Sequence, residues 1–426
     1  MHEADDAREA GLARLGTLLL ESGHSVTDTR VALEEVQRVI APGDTLSFAV
    51  LPEAVFVSRQ AGPATMRISE APPMSMRQAA EVNHLLRALR TGTIGFRAAL
   101  ERADEIRRAD PRHRTLFWVA GSALIAVGLA FLFHCPWWAI ALSMLTGPIV
   151  GGVSVLFERL GSAAATAPFV ASFVSTALVG AAADLWGLGT VPLFAVCAPV
   201  AVLVPGALIT NALLELTASD IVTGAARLVS GLVMLGFMTA GIMAGAAATG
   251  LSIDPGSVAL IGDAPAQTAM SEGWLAVPQD WFVWPGVVAL AVGIALVFGA
   301  SGALTWVTIA AMSAAYLLLS VLSPMTGGIL ATGITAMVLF VMSRLLEQAP
   351  SGVPSAVSFQ PAFLLLVPGT VGLVALASFD PAGLSATPLT FVSLCIGTKL
   401  GAALTDFARS LARPVRRIAG RPRRAA

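Results

Sequence analysis

Charge is scarce in this chain. Asp, Glu, Lys and Arg make up 12% of its 426 residues, against 56% hydrophobic, and the mean hydropathy is +0.78. That much apolar surface excludes an ordinary water-soluble globule. Cysteine is nearly absent too. Cys135, Cys197 and Cys395 sit at or in apolar runs without a C-x-x-C, so neither a disulfide framework nor a zinc site is indicated. The acidic start "MHEADDAREAG" has no apolar core, which predicts no cleavable signal peptide. Lysine occurs once, as Lys399, in a chain that otherwise uses arginine. No cofactor, metal or nucleic-acid partner is expected.

The motifs of catalysis are missing as well. There is no G-x-S-x-G, no H-E-x-x-H and no glycine-rich phosphate loop. "GASG" at Gly299–Gly302 matches the G-x-S-G of rhomboid-like intramembrane proteases, but that chemistry needs a histidine base beside the serine. The histidines are His2, His24, His84, His113 and His134, and none follows residue 134. No G-x-G-D supports an aspartyl protease either, and the enzyme reading is set aside.

What the chain does have is long apolar runs. From Thr115 to Asp406 they recur at about 20 residues, the length that crosses a bilayer as a helix. Ten segments are predicted, at 115–134, 136–157, 161–185, 190–217, 221–249, 281–299, 302–322, 325–346, 359–379 and 386–407. Of the 26 basic residues, 15 precede Thr115 and seven follow Asp406. By the positive-inside tendency both termini are expected in the cytoplasm, which requires an even number of spans. The longest loop between spans carries Asp254, Asp263, Glu272 and Asp280 and no basic residue, as an external loop should. Trp137, Trp138, Trp186, Trp281 and Trp284 fall at the ends assigned to the outer interface, like an aromatic belt.

Before the first span the pattern is that of a small soluble domain. Leu12, Leu15, Leu18 and Leu19 recur at helical spacing and Gly23 is a natural stop; Val31, Val36, Val39 and Ile40 mark a second helix. "TLSFAVL", "AVFVSRQ" and "TMRISE" read as three short strands, and "SMRQAAEVNHLLRALRTG" and "GFRAALERADEIRRAD" as two more helices. His24 and His84 with Asp28, Glu34 or Glu81 could form an acid–base pair, yet no motif supports one. A regulatory or assembly role is expected, and no catalysis.

Two Pro-Gly pairs interrupt apolar segments: Pro205-Gly206 in "LVPGALITN" and Pro368-Gly369 in "LLLVPGTVG", 163 residues apart. With five spans per half, the second half would enter from the opposite side, the layout of inverted-repeat transporters, whose broken helices line the substrate site. Proline lacks an N–H, so the carbonyls of Ala201 and Leu364 are expected to lose their helical partners. The half-helix after each Gly would offer unpaired N–H groups and a partial positive charge to a carboxylate. Thr210 and Asn211, a turn beyond the first break, and Thr370, directly after the second, complete a candidate substrate site. The bland alternative is a packing kink at each proline.

Ionisable residues inside a membrane cost roughly 2.5–3.5 kcal/mol each at a helix centre, so each one needs a reason. Glu215 and Asp220 are candidates to take up a coupling proton, with Arg227 as counter-charge. Headgroup-level loop residues are the competing reading. Lys399 is a candidate partner for a buried acid, or a snorkelling side chain at the inner interface. Gly147/Gly151, Gly241/Gly245 and Gly397/Gly401 give G-x-x-x-G spacings read as helix packing.

With these residues in place, the chain resembles the threonine/serine exporter family. "LLLESGHSVTDTRVALEEV", "SFAVLPEAVFVS" and "AAEVNHLLRALRTG" carry the resemblance before the membrane region; "LVPGALITNALLELTASDIVTGAARL" and "LLLVPGTVG" carry it within. "GHSVTDTRVALEE" departs from the family pattern, so no role passes to Glu34. The resemblance implies proton-driven export of small hydroxylated amino acids. Relatives with split halves are linked to dicarboxylate export, so a dicarboxylate or other small metabolite is an alternative substrate, and a channel or receptor an alternative class. The expected architecture is an α-helical polytopic membrane protein of about ten transmembrane helices in two inverted five-helix repeats, after a small α+β soluble domain. Its parts are a cytoplasmic domain (1–112), a first membrane repeat (113–250), an extracytoplasmic acidic loop (251–280), a second repeat (281–408) and a basic cytoplasmic tail (409–426). The expected partners are an amino acid, a proton and the cell-membrane bilayer, with homo-oligomerisation left open.

Overall fold

In a computed structural model, the residues described are 2–43, 45–59, 63–69, 74–109, 114–218, 220–254, 273–348, 361–362, 365–366, 389–405 and 407–408. The amino-terminal unit has the element order read from the sequence. Helices α1 (His2–Glu21) and α2 (Val26–Ile40) precede strands β1 (Leu46–Val50), β2 (Ala54–Arg59) and β3 (Thr65–Ile68); α3 (Met76–Arg90) and α4 (Phe96–Arg108) follow. Gly23, at φ 89°, ends α1 by a left-handed turn that only glycine adopts without strain. Ser25 then caps α2, its hydroxyl accepting the N–H of Asp28 at 3.0 Å. Ser75 and Gln78 form a reciprocal capping box on α3.

The three strands form an antiparallel sheet in the order β1-β2-β3, with Phe48 opposite Val57 and Phe56 opposite Met66. The inward residues of β2, Val55 and Val57, pack with Leu12, Leu15, Leu18 and Leu19 of α1, Leu33 of α2 and Leu86 of α3. Each of these leucines, withdrawn fully from water, contributes about 1.5–3 kcal/mol to the unit's stability.

Beyond Arg114 the described chain is almost wholly helical. Helices α5 (Arg114–Leu132), α6 (Trp137–Arg159), α7 (Ala167–Leu185), α8 (Leu193–Val200), α9 (Gly206–Thr217) and α10 (Ile221–Thr249) come first; α11 (Val283–Val297), α12 (Gly302–Thr326), α13 (Gly328–Gln348) and α14 (Leu389–Thr405) follow. Among the described residues, seven helical stretches are long and apolar enough to cross a membrane. They correspond to seven of the ten predicted segments. The fourth segment is broken into α8 and α9, and the tenth is the shorter α14. Nearly all of the ninth, with Leu364, Pro368, Gly369 and Thr370, lies outside the described residues.

Glycine sets how closely these helices approach. A Cβ at Gly121 of α5 would lie 2.7 Å from the Gly293 carbonyl oxygen of α11, and one at Gly128 would lie 2.7 Å from that of Gly286. No side chain can stand between these backbones, so α5 and α11 are held by direct van der Waals contact. The predicted G-x-x-x-G pairs do the same elsewhere. Gly241 and Gly245 of α10 seat on α7 against Phe169 and Phe173, and Gly397 and Gly401 of α14 seat on α13 against Gly333 and Met337.

The helix ends sort into two groups. At one end, Trp137 donates its N–H to Ala276 O at 3.2 Å, and Phe282 packs edge-on to Trp137. The same end carries the two-residue parallel pair β4 (Val191–Pro192) and β5 (Ile253–Asp254). Trp186, Trp281 and Trp284 are exposed there, as a belt requires. Trp138 corrects that reading: at 2% exposure it is part of the core, on the inward face of α6, with its ring edge-on to Trp186. At the other end the amino-terminal unit docks. The N–H groups of Met76 and Arg77 in α3 donate to the carbonyls of Phe298 and Gly299 between α11 and α12, at 2.7 and 3.3 Å. Met76 and Ala79 join the membrane unit's own apolar core. Ser301, the serine of the protease-like motif, stands at the residue before α12 at this docked end, whereas His134 faces Asp280 at the opposite one.

Candidate functional site

Helix α8 is buried along its whole length among α5, α6 and α7. Ser175 of α7 reinforces the seat by donating its hydroxyl to the Val196 carbonyl at 3.3 Å. The chain then tightens into a 3-10 turn, Ala201–Leu203, becomes extended at Val204 (φ −62°, ψ 124°), and restarts as a helix at Gly206. Pro205 therefore breaks the helix outright instead of kinking it. One expectation is corrected here. The Ala201 carbonyl is not orphaned, because the 3-10 turn supplies the Val204 N–H at 3.1 Å in place of the N–H that Pro205 lacks. The Val204 carbonyl takes the Gly206 N–H at 2.7 Å.

A turn into α9 lies Thr210, only 4% exposed, with a hydroxyl that has no hydrogen-bond partner among the described residues. Asn211 beside it is half-buried. Small residues bring α10 tight against this helix: Gly231 faces Ile209, and Gly224 faces Ala212 and Leu216.

The lower end of α9 carries the predicted acid. Glu215 is 1% exposed, and its Oε1 accepts from the Arg227 guanidinium of α10, the counter-charge expected from sequence. Its Oε2 has no hydrogen-bond partner among the described residues. Asp220 closes the elbow between α9 and α10: its N–H donates to Glu215 O at 3.0 Å and its carbonyl accepts from Gly224 N–H at 3.0 Å.

The groups that sequence reasoning missed come from α2. The Val26 N–H points at Glu215 Oε1 at 3.4 Å, the Thr27 hydroxyl donates to Asp220 Oδ2, and the Arg30 guanidinium stands 3.8 Å from Asp220 Oδ1. Nearly two hundred residues separate these partners in sequence. The one local signal was the stretch "SGHSVTDTR" itself, a helix start with polar residues on consecutive positions.

Nearby, Arg344 of α13 lies 3.0 Å from Glu347 and 3.5 Å from Asp28 of α2, and Arg87 of α3 donates to the Glu347 carbonyl. His24 is half-buried beside them, its Nδ1 3.0 Å from the Ser22 hydroxyl. Withdrawal from water lowers its pKa below the ordinary histidine value, against the opposing pull of Asp28 and Glu347. His84 is exposed on α3.

Lys399 lies apart from the cluster. It lines a groove of about 390 Å³ between α9 and α14, with Leu213, Leu216, Val392 and Cys395, and no carboxylate among the described residues is within ion-pair distance of it. The three cysteines are free and buried. Among the described residues no group of three His, Cys, Asp or Glu could hold a metal.

Seven long apolar helices, with a broken pair packed among them, define a multi-pass membrane protein. Residues 11–249 match the family model ThrE, described as "Putative threonine/serine exporter". More than half of the sequence is covered, so the chain belongs to that family of amino-acid-exporting membrane transporters. The match ends at Thr249, the last residue of α10. No curated protein and no solved structure matches the chain.

Proposed function

We propose that this protein exports threonine, serine or a similarly small amino acid across the cell membrane, by alternating access coupled to protons. The observation that carries the reading is the broken helix: α9 restarts at Gly206 with the buried hydroxyl of Thr210 one turn along and Oε2 of Glu215 at its far end, neither with a hydrogen-bond partner among the described residues. The N–H groups of a helix's first turn suit a substrate carboxylate. Thr210 and Asn211 suit its amino or hydroxyl groups. Pro368, Gly369 and Thr370 would supply the matching break from the second half.

Glu215 is the proton site we favour, with Arg227 holding it in place and Asp220 beside it. A carboxylate oxygen without a donor can take a proton without breaking an existing bond. Lys399, facing an apolar groove, has no role in this scheme.

The glycine contacts support inverted repeats. Gly121 and Gly286, and Gly128 and Gly293, are the same 165 positions apart, close to the 163 between the two prolines. In space the pairs exchange, Gly121 with Gly293 and Gly128 with Gly286, as a two-fold axis between antiparallel helices would require. The third and fifth spans of each half also meet through glycines, α7 with α10 and α13 with α14. In this arrangement the amino-terminal unit and both termini are cytoplasmic, the tryptophan-bearing end is external, and the membrane is the cell's own.

The test is transport by purified protein in liposomes loaded with labelled threonine or serine. Uphill movement driven by an imposed pH gradient is expected. Downhill flux indifferent to that gradient would reject the coupled carrier.

A further inference from the structure

The amino-terminal unit touches the membrane unit in two chemically different ways. Helix α3 is an anchor: its first turn places Met76 and Ala79 in the membrane unit's apolar core and gives two N–H groups to backbone carbonyls at Phe298 and Gly299. The start of α2 makes polar contacts instead. Over five residues it directs the Val26 N–H to Glu215, the Thr27 hydroxyl to Asp220, the Asp28 carboxylate to Arg344 and the Arg30 guanidinium to Asp220. Glu215 and Asp220 belong to the first set of membrane helices and Arg344 to the second. The turn therefore bridges both sets at the end where α9, α11 and α13 finish.

We infer that this turn of α2 belongs to the transport machinery as its inner gate, with Thr27 the positioning residue for Asp220. The inference rests on the exporter reading. Alternating access requires the inner ends of the two helix sets to part, and a bridge supplied by one chain segment must release when they do. Its bonds are suited to that. They are few and charge-assisted, and they leave water-accessible groups on both sides when broken, whereas the apolar seat of α3 can persist. The acids gripped by α2 are those proposed to carry the proton, so release and proton uptake share the same atoms. Glu215 faces Arg227 of α10, the Val26 N–H and the charge of Asp220; Asp220 faces Thr27 and Arg30; Asp28 faces Arg344 of α13, the hydroxyl of Ser25 and the imidazole of His24.

Two arms test this on the full-length chain in proteoliposomes. In the first, Asp28→Cys and Arg344→Cys are combined with Cys395→Ser, which removes the thiol of the α9/α14 groove, and bridged by a short bis-maleimide; Cys135 and Cys197 are fully buried. Bridging is expected to cut threonine or serine transport at least about tenfold relative to the same variant unbridged. In the second, Thr27→Val is expected to lower the maximal rate about tenfold, the worth of one hydrogen bond to a charged group, and to shift the pH profile while KM changes less than about twofold. Thr27→Ser should restore both. Bridged protein that transports at the unbridged rate overturns the gate, and so does Thr27→Val with the wild-type pH profile. If the unmodified chain moves no amino acid, the exporter reading falls and the gate falls with it.

Discussion

Arg227→Gln would isolate a carboxylate in the interior. Glu215 is 1% exposed; among the described residues one of its oxygens lacks a hydrogen-bond partner, and the substitution would leave the other with the Val26 N–H at 3.4 Å. Removing one member of such a buried pair costs about 3–5 kcal/mol, because the remaining charge has neither water nor counter-ion. For a chain of this length, at about 2 °C per kcal/mol, the apparent melting midpoint should fall by about 6–10 °C. Glu215→Gln should cost less, since the Arg227 left behind is 16% exposed and can reach solvent. Combining both changes should recover much of the loss, as an uncharged pair needs no counter-ion. The assay is heating detergent-solubilised protein and following the monodisperse fraction. Additive losses in the double variant, or Arg227→Gln melting no lower than Glu215→Gln, would refute the buried pair.

Three further predictions follow from other parts of the molecule. Gly128→Ala should destabilise by about 1–3 kcal/mol, because its Cβ would sit 2.6 Å from the Leu290 backbone nitrogen, whereas Gly152→Ala, with nothing within 4 Å, should be neutral or stabilising in the same melt. His24→Gln should flatten the acid side of the stability profile. The native pKa of His24 is lowered, so the unfolded chain takes the proton first and stability declines as pH falls below about 6.5; the variant should lose less on moving from pH 7.5 to 5.5. Gly206→Leu should abolish transport while the protein still inserts and purifies, measured by liposome flux per folded molecule; retained transport would remove the break from the substrate path.

Local rules carried the amino-terminal unit. Gly23, Ser25 and the Ser75/Gln78 box are short-range signals, and the helices and strands they bound lie where the hydrophobic period puts them. The break at Pro205 was legible for the same reason, because a missing N–H acts on its own turn. What it does to Ala201 was not, since the chain had a second local solution in a 3-10 turn. Trp138 was misread because an apolar ring at a helix start looks alike whether it faces lipid or the helix core. The ion pair of Glu215 with Arg227 could be foreseen from two charges twelve residues apart in an apolar stretch. The reach of Val26, Thr27 and Arg30 into it could not, because no periodicity encodes a contact across nearly two hundred residues.

The glycine seam between α5 and α11 has a mechanical consequence. Two rods whose backbones meet at glycines, with Val297, Ile125 and Phe131 packed beside them, have little slack and no intermediate spacing at which to rest. They can turn about each other, but separating them forfeits the whole contact at once. Rearrangement of this molecule is therefore cheapest as rotation around that axle, with the displacement growing toward the helices farthest from it.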